Sequence, residues 1–195
     1  IRITFKLRRN YRRRTSLKGK VLISEPFLQD PNFARSVVLI VEHGNEGTIG
    51  FVLNQPTDIS INEVIEQLSL DNNLLQGGPV ELDSFHYIHT YAHINGAVRI
   101  NDDIYWSGDF EQVASGLQEG TIDANHFKFF IGYSGWAQGQ LQAELNEKAW
   151  IIGDLSSGTL FDDKVSGADL WKHAIRARGG KDALLANSPT APDLN

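Results

Sequence analysis

Residues 127–150, FKFFIGYSGWAQGQLQAELNEKAW, constrain this chain more than any other stretch. An aromatic run suited to a buried strand leads into a glycine-rich turn, an amphipathic helical segment and a second strand at Trp150. Strand, turn and helix in succession must pack in layers, which commits the chain to a mixed architecture. Elsewhere the strands read mostly in pairs. Residues 19–24 (GKVLIS) read as a first strand, and residues 35–43 (RSVVLIVEH) as a β-branched run suited to burial on both faces. Gly44-Asn45-Glu46-Gly47 is a turn, and residues 48–53 return as a hairpin that ends at Asn54-Gln55-Pro56. Residues 85–91 place Phe85, Tyr87, His89 and Tyr91 on one strand face, and residues 98–100 and 104–107 form another hairpin.

Three helices announce themselves by capping-box spacing ahead of an apolar pattern: Ser60 with Glu63, Asp109 with Gln112, and Ser166 with Asp169. The first predicts one apolar face of Ile61, Val64, Ile65 and Leu68. The last runs through Leu170, Trp171, Ala174 and Ile175 until Gly179-Gly180 stops it. Helices inserted between strand pairs, without strict alternation, predict an α+β fold with a largely antiparallel sheet. The organisation reads as a basic arm over residues 1–17, one domain over residues 18–186 and a polar tail over residues 187–195.

A chain of 195 residues buries roughly 70% of its unfolded surface, so it needs neither disulfides nor metals for stability. It contains no cysteine, which removes disulfides, thiolate nucleophiles and cysteine-type zinc sites together and fits a cytoplasmic protein. Its longest apolar run, residues 37–41, is far short of the roughly 20 residues that span a bilayer. No signal-peptide pattern follows the basic start, and the absence of methionine leads to the expectation that this is not the complete nascent chain. The net charge of −6 hides an asymmetry: residues 1–20 hold nine of the 18 Lys and Arg and none of the 24 acids. The rest of the chain therefore carries −15, which suits nucleic acid poorly because phosphates are neutralised by Lys and Arg. Nucleic-acid binding is then confined to Arg8, Arg9, Arg12, Arg13 and Arg14 of the arm. The competing reading of those residues is an arm that docks on acidic protein surface, of its own body or of a second copy in a homo-oligomer.

No enzyme signature survives inspection. Ser134 sits at a strand–turn–helix junction, but a nucleophile elbow needs glycine two residues later, where this chain has Trp136. His86 and His89 point to opposite faces of a strand, so with His93 they read as sheet histidines. No phosphate loop is present, and no metal or cofactor is expected. A turn ahead of a helix can offer backbone N–H groups to an anion, which singles out Gly135, Gly139 and Gln140, with Trp136 as a wall.

The blocks DPNFARSVV (residues 30–38), EHG (42–44), GTIGFVLN (47–54), GGPV (77–80), GYSGW (132–136), GQL (139–141) and Glu144-Leu145 together resemble the bacterial AlgH/YqgE family. The similarity runs from about residue 18 to 178. It departs at Gln55, where the family usually has Arg, and at Ser134, where it usually has Ala. The resemblance implies a bent, largely antiparallel sheet forming a pseudo-barrel with helices packed around it. It also implies a transcriptional-regulator role, assigned to members on genetic grounds without a demonstrated DNA-binding element. The helices here are separated by strands, so no helix-turn-helix is predicted. The leading expectation is a non-enzymatic binding or regulatory protein acting on a protein or small-molecule partner. A hydrolase or nuclease with an unrecognised carboxylate–histidine site is the alternative. Any site is placed where three blocks could converge: Arg35 and Ser36, Asn54 and Gln55, and Gly135, Trp136 and Gln140, with Arg35 as the anion contact, Asn54 and Gln140 as hydrogen-bond donors and Trp136 as the apolar wall.

Overall fold

The computed structural model describes residues 16–68, 70, 72–162, 164–165 and 167–189. The arm arginines Arg8 to Arg14, the Ser166 cap and the last six residues of the tail lie outside them. Among the described residues ten strands form one sheet. In chain order they are β1 (Val21–Ser24), β2 (Val37–His43), β3 (Gly47–Val52), β4 (Pro56–Ser60), β5 (Asn73–Gln76), β6 (Val80–His89), β7 (Val98–Arg99), β8 (Tyr105–Trp106), β9 (Phe127–Ala137) and β10 (Trp150–Gly153). The path across the sheet is β10-β1-β2-β3-β9-β6-β8-β7, antiparallel throughout. Off that path, β4 pairs with β5, and β5 runs parallel to β9 at Leu75–Phe130 and Gln76–Ile131. The fold is α+β, with the sheet curled into a half-barrel and helices packed around it.

The curl has a local cause. β9 spans eleven residues and serves two neighbours along one edge. Its later half pairs with β3, from Ser134 to Ala137, and its middle pairs with β5. The change-over falls where Gly77 and Gly78 pass β9 at Gly132, itself at φ +64°. Gly77 donates to the Ile131 carbonyl at 2.9 Å, and its own carbonyl accepts from Val52 N–H and from the Ser134 hydroxyl, both at 2.9 Å. A side chain on Gly77 would stand within 2.9 Å of the Phe51 ring and closer still to the Gly132 carbonyl. Only glycine allows this approach of two backbones.

Three apolar clusters fill the layers. α5 (Gly167–Arg178) lays Leu170, Trp171, Ala174 and Ile175 on one face of β1 and β2. The opposite face of the same strands, with Leu22, Val38 and Ile40, is covered by α3 (Gln140–Asn146), Phe33 and Trp136. Residues 37–41 of β2 are thus buried on both sides, which is why the sequence shows a continuous apolar run there. The third cluster lies under α2 (Phe110–Glu119) against β6 and the first half of β9. Asp109 caps α2 as expected, accepting from Gln112 N–H at 3.2 Å. Among the described residues no helix is long and apolar enough to cross a membrane.

The structure corrects one helix. The face predicted from Ile61, Val64, Ile65 and Leu68 is not continuous. α1 (Ile61–Val64) ends after one turn, at Ile65 (φ −138°, ψ 89°), and a 3₁₀ turn follows at Glu66–Leu68. Ile61 and Leu68 are buried but Val64 is 46% exposed. A four-residue helix at the sheet margin cannot hold its full stripe against the core. Strands β4 and β5, and the short helices α4 (Ser157–Leu160) and α6 (Asp182–Leu185), also lie where no element was expected.

Two substitutions test the account of the curl. Gly77→Ala is expected to destabilise the fold by about 1–3 kcal/mol through overpacking, read as a lower urea midpoint. Gly44→Ala, which meets nothing within 4 Å, should stay within about 0.5 kcal/mol of the parent chain. Equal midpoints for the two variants would refute it.

Candidate functional site

Of the residues singled out by sequence, Arg35, Ser36, Asn54 and Gln55 gather at the loop of residues 30–36 and Trp136 reaches it through Phe33, whereas Gly135 pairs with Ile49 of β3 and Gln140 bonds Ala137 and Glu144 at the turn beyond. The loop is a chain of tight turns: Asp30 accepts from Asn32 N–H at 2.8 Å, and Phe33 N–H reaches the Asp30 carbonyl at 3.0 Å. Ser36 closes it. Its N–H donates to the Ser24 hydroxyl at 2.9 Å, and its own hydroxyl donates to the Phe33 carbonyl at 2.9 Å. Arg35 sits in the left-handed region at φ +49°, where a non-glycine residue is held only by its surroundings.

Asn54 and Gln55 supply that hold. The buried Asn54 amide spans three segments. Its oxygen accepts from Val37 N–H at 2.9 Å, and its nitrogen donates to the Arg35 carbonyl at 2.9 Å and the Gly167 carbonyl at 3.1 Å. Gln55 donates to the Asn32 carbonyl at 2.7 Å. The β9 turn meets the same loop through Phe33, whose ring stacks on Trp136 at 6.1 Å and meets Trp150 edge-on at 5.4 Å. The two outer blocks therefore touch the loop from opposite sides.

Sequence reading named Glu144 within the family blocks but missed that it organises the tryptophan side. One Glu144 oxygen accepts both indole N–H groups, from Trp136 at 2.8 Å and Trp150 at 2.7 Å. Its other oxygen accepts from Gln140 at 3.0 Å, while Gln140 in turn accepts from Ala137 N–H at 3.0 Å. The signal lay in the chain as the i, i+4 pair Gln140 and Glu144 on the helix between two tryptophans. Gly135 and Gln140 are exposed at the turn, and Trp136 is 5% exposed.

Around this framework lie other polar groups. The Ser134 hydroxyl is fully buried against Gly77. His89, also fully buried, contacts the Ser107 carbonyl through Nε2 at 2.9 Å and accepts from Tyr91 N–H at Nδ1 at 3.2 Å. That pairing fits the neutral ring, and burial pushes its pKa below the usual histidine value. His86 is lowered for the same reason, against the opposing pull of Glu81. Among the described residues no group of three or more His, Asp or Glu is placed to hold a metal ion.

Next to the turn lies a trough of about 990 Å³. Leu141 and Leu145 of α3 form one wall and Arg178, Asp182 and Leu185 the other, with Phe27 at one end and His43 and Thr48 among its lining residues. Trp150, Ile151 and Ile152 all line it, although alternate side chains of a strand point to opposite faces. The trough therefore runs along the edge of β10 and not over one face. A smaller cavity of about 340 Å³ adjoins Asn54, Phe129 and Leu170.

These features define a class: a curled α+β half-barrel with a both-sides-buried strand layer and a loop clamped between an Asn-Gln turn and a tryptophan-bearing turn. The chain belongs to the AlgH-like family, whose model matches residues 21–183. A UPF0301 protein of Cytophaga hutchinsonii is 44% identical over 181 residues, covering 91% of this chain and 98% of the relative. A UPF0301 protein of Chlorobaculum tepidum is 41% identical, covering 91% and 95%. The solution structure of the AlgH protein from Pseudomonas aeruginosa aligns with TM-score 0.70 at 30% identity, covering 90% of this chain and 96% of that one. A crystal structure of a Corynebacterium diphtheriae protein shares the fold with TM-score 0.73 at 23% identity, covering 87% and 91%.

Two measurements follow. Glu144→Ala leaves two indole donors without their acceptor and should cost about 2–4 kcal/mol, with altered tryptophan emission in the folded state. An unchanged urea midpoint would refute the bridging role. The depressed His86 and His89 values mean the unfolded chain binds protons that the native chain resists. Their contribution to stability is therefore complete above the unfolded pKa of 6.5 and is lost as the pH falls below it. Urea midpoints across this range should decline on acidification, and less steeply in His89→Gln. A slope that His89→Gln leaves intact would refute it.

Proposed function

We propose that this protein acts by binding, without catalysis, and that its partner is an extended segment of another protein received along β10. The observation that carries this reading is the trough that follows the strand's edge. Among the described residues β10 pairs only with β1, so its outer row of N–H and C=O groups faces the trough. An exposed edge invites strand addition, in which main-chain bonds supply affinity and flanking pockets select side chains. Leu145 and the 53%-exposed Phe27 offer apolar contact for alternate residues of the incoming segment. The charged residues that line the trough balance, Glu25 and Asp182 against Lys148 and Arg178, while the charge of −15 over residues 21–195 favours the approach of a segment that carries basic residues among its apolar ones.

In this reading the three sequence blocks shape the scaffold beside the trough, and a regulatory role in the cytoplasm runs through protein contact. His89, His93 and His126 gather around Tyr91 and Phe127, outside the trough, and Ser134 is buried at the β9 crossing, which favours binding at the trough over hydrolysis, a reaction that needs an acid and a base converging in one pocket.

A peptide alternating valine and lysine, titrated while amide exchange is followed, tests this. Protection is expected at Trp150–Gly153, with binding about tenfold weaker in Phe27→Ser, the loss of about 1.4 kcal/mol of apolar contact. β10 amides already fully protected in the free protein, or unchanged by the peptide, would overturn the proposal.

A further inference from the structure

The environment of Arg35 carries a second proposal, one that rests on reading the protein as a binding protein but uses a different surface. The guanidinium carbon lies 4.8 Å from the ring centre of Trp171, which is fully buried and anchored by its indole N–H on the Ser24 carbonyl at 3.0 Å. An aromatic face at this distance attracts a cation and holds the planar group in one orientation. One terminal nitrogen, Nη2, donates to two carbonyls from the far end of the chain, Ser188 at 2.7 Å and Pro189 at 2.6 Å. No carboxylate contacts the group among the described residues, and Nε and Nη1 make no hydrogen bond to them. The guanidinium thus has its orientation fixed and two of its five donors covered by neutral partners.

The cover is slight. It begins after Ala186, which is buried, and turns through Ser188 N–H to the Leu185 carbonyl at 2.9 Å. Beyond that turn, among the described residues, the two carbonyls on Arg35 are the hydrogen bonds that hold it down. A charged oxygen forms a shorter bond to guanidinium, roughly twice as strong as a neutral carbonyl does, and a planar or tetrahedral oxyanion engages two donors at once.

We propose that Arg35 is an oxyanion-recognition residue, taking a carboxylate or phosphate group, and that the segment at Ser188 and Pro189 is a strap that the oxyanion displaces. Arg35 provides the charge and the fork, Trp171 the platform, and Asn54 fixes the left-handed backbone through the Arg35 carbonyl. Binding and strap release are one equilibrium. The apparent affinity is the intrinsic affinity multiplied by the fraction of molecules with the strap open.

The test uses the full chain, with inorganic phosphate and acetate as separate probes. Nuclear magnetic resonance follows the Arg35 Nε–H, the Trp171 indole N–H and the Ser188 amide. Saturable shifts at Arg35 together with faster exchange of the Ser188 amide are expected. A response to phosphate alone assigns a phosphate-type ligand, and a response to both assigns oxyanions generally. Ser188→Pro removes the N–H that closes the strap's turn and should tighten binding about fivefold, the factor that one net hydrogen bond of about 1 kcal/mol represents. Arg35→Gln should abolish the response, and Arg35→Lys, a point charge without the fork, should retain only a weakened one. No saturable shift at Arg35 with either probe would overturn the proposal, as would equal affinity in the parent chain and Ser188→Pro. The valine–lysine peptide reads β10 independently, so failure here leaves the trough reading separately tested.

Discussion

The curl of this sheet depends on two backbones passing at contact distance, Gly77 and Gly78 against β9 at Gly132. Without that approach β9 could not hand one edge from β5 to β3, and the sheet would stay open. The Ser134 hydroxyl is part of the same crossing, since it donates to the Gly77 carbonyl. A serine that sits in the setting of a nucleophile is thereby explained as a pin between two strands. The two-sided burial of β1 and β2 follows from the curl, because it leaves one face for α5 and the other for α3 and Phe33.

The loop of residues 30–36 is the second dependence. Its shape is imposed from outside, by Asn54 and Gln55 on one side and by the Phe33 contact with Trp136 and Trp150 on the other. Its polar groups are largely spent on the fold, and the Arg35 guanidinium lies between Trp171 and the carbonyls of Ser188 and Pro189. The geometry therefore separates two tasks that share neighbouring residues: a rigid framework, and a cation held on an aromatic plate.

Much of this was legible in the sequence wherever periodicity or a turn residue spoke locally. The two-sided burial of residues 37–41 followed from an unbroken apolar run, the hairpin from Gly44-Asn45-Glu46-Gly47 and the α2 cap from Asp109. The strand, turn and helix of residues 127–150 appear as β9, α3 and β10. The failures share a cause. β4 is a mostly exposed strand led by Pro56, so it shows neither alternation nor a β-branched run. The stripe after Ser60 promised a longer helix than the sheet margin supports. Glu144 looked like one more helical carboxylate, because its two indole partners are set by how α3 crosses the sheet and not by any local pattern. The polar and glycine content of the three blocks raised a shared cleft as a possibility, but nothing in the sequence could show whether they meet in space. The link through Phe33, an aromatic residue between them, was not legible there.

The unbroken apolar strand β2 carries a consequence for synthesis. Its five residues Val37 to Val41 are the kind of segment that self-associates when exposed, and they are bounded by Arg35 on one side and Glu42 on the other, charges that act as gatekeepers. β3 follows within a few residues and shields one edge early. The faces are a different matter, since Trp136, α3 and α5 are translated about a hundred residues later. The layer that makes the finished domain solid is thus the part of the nascent chain that stays exposed longest, and flanking charge is its protection until the C-terminal helices arrive.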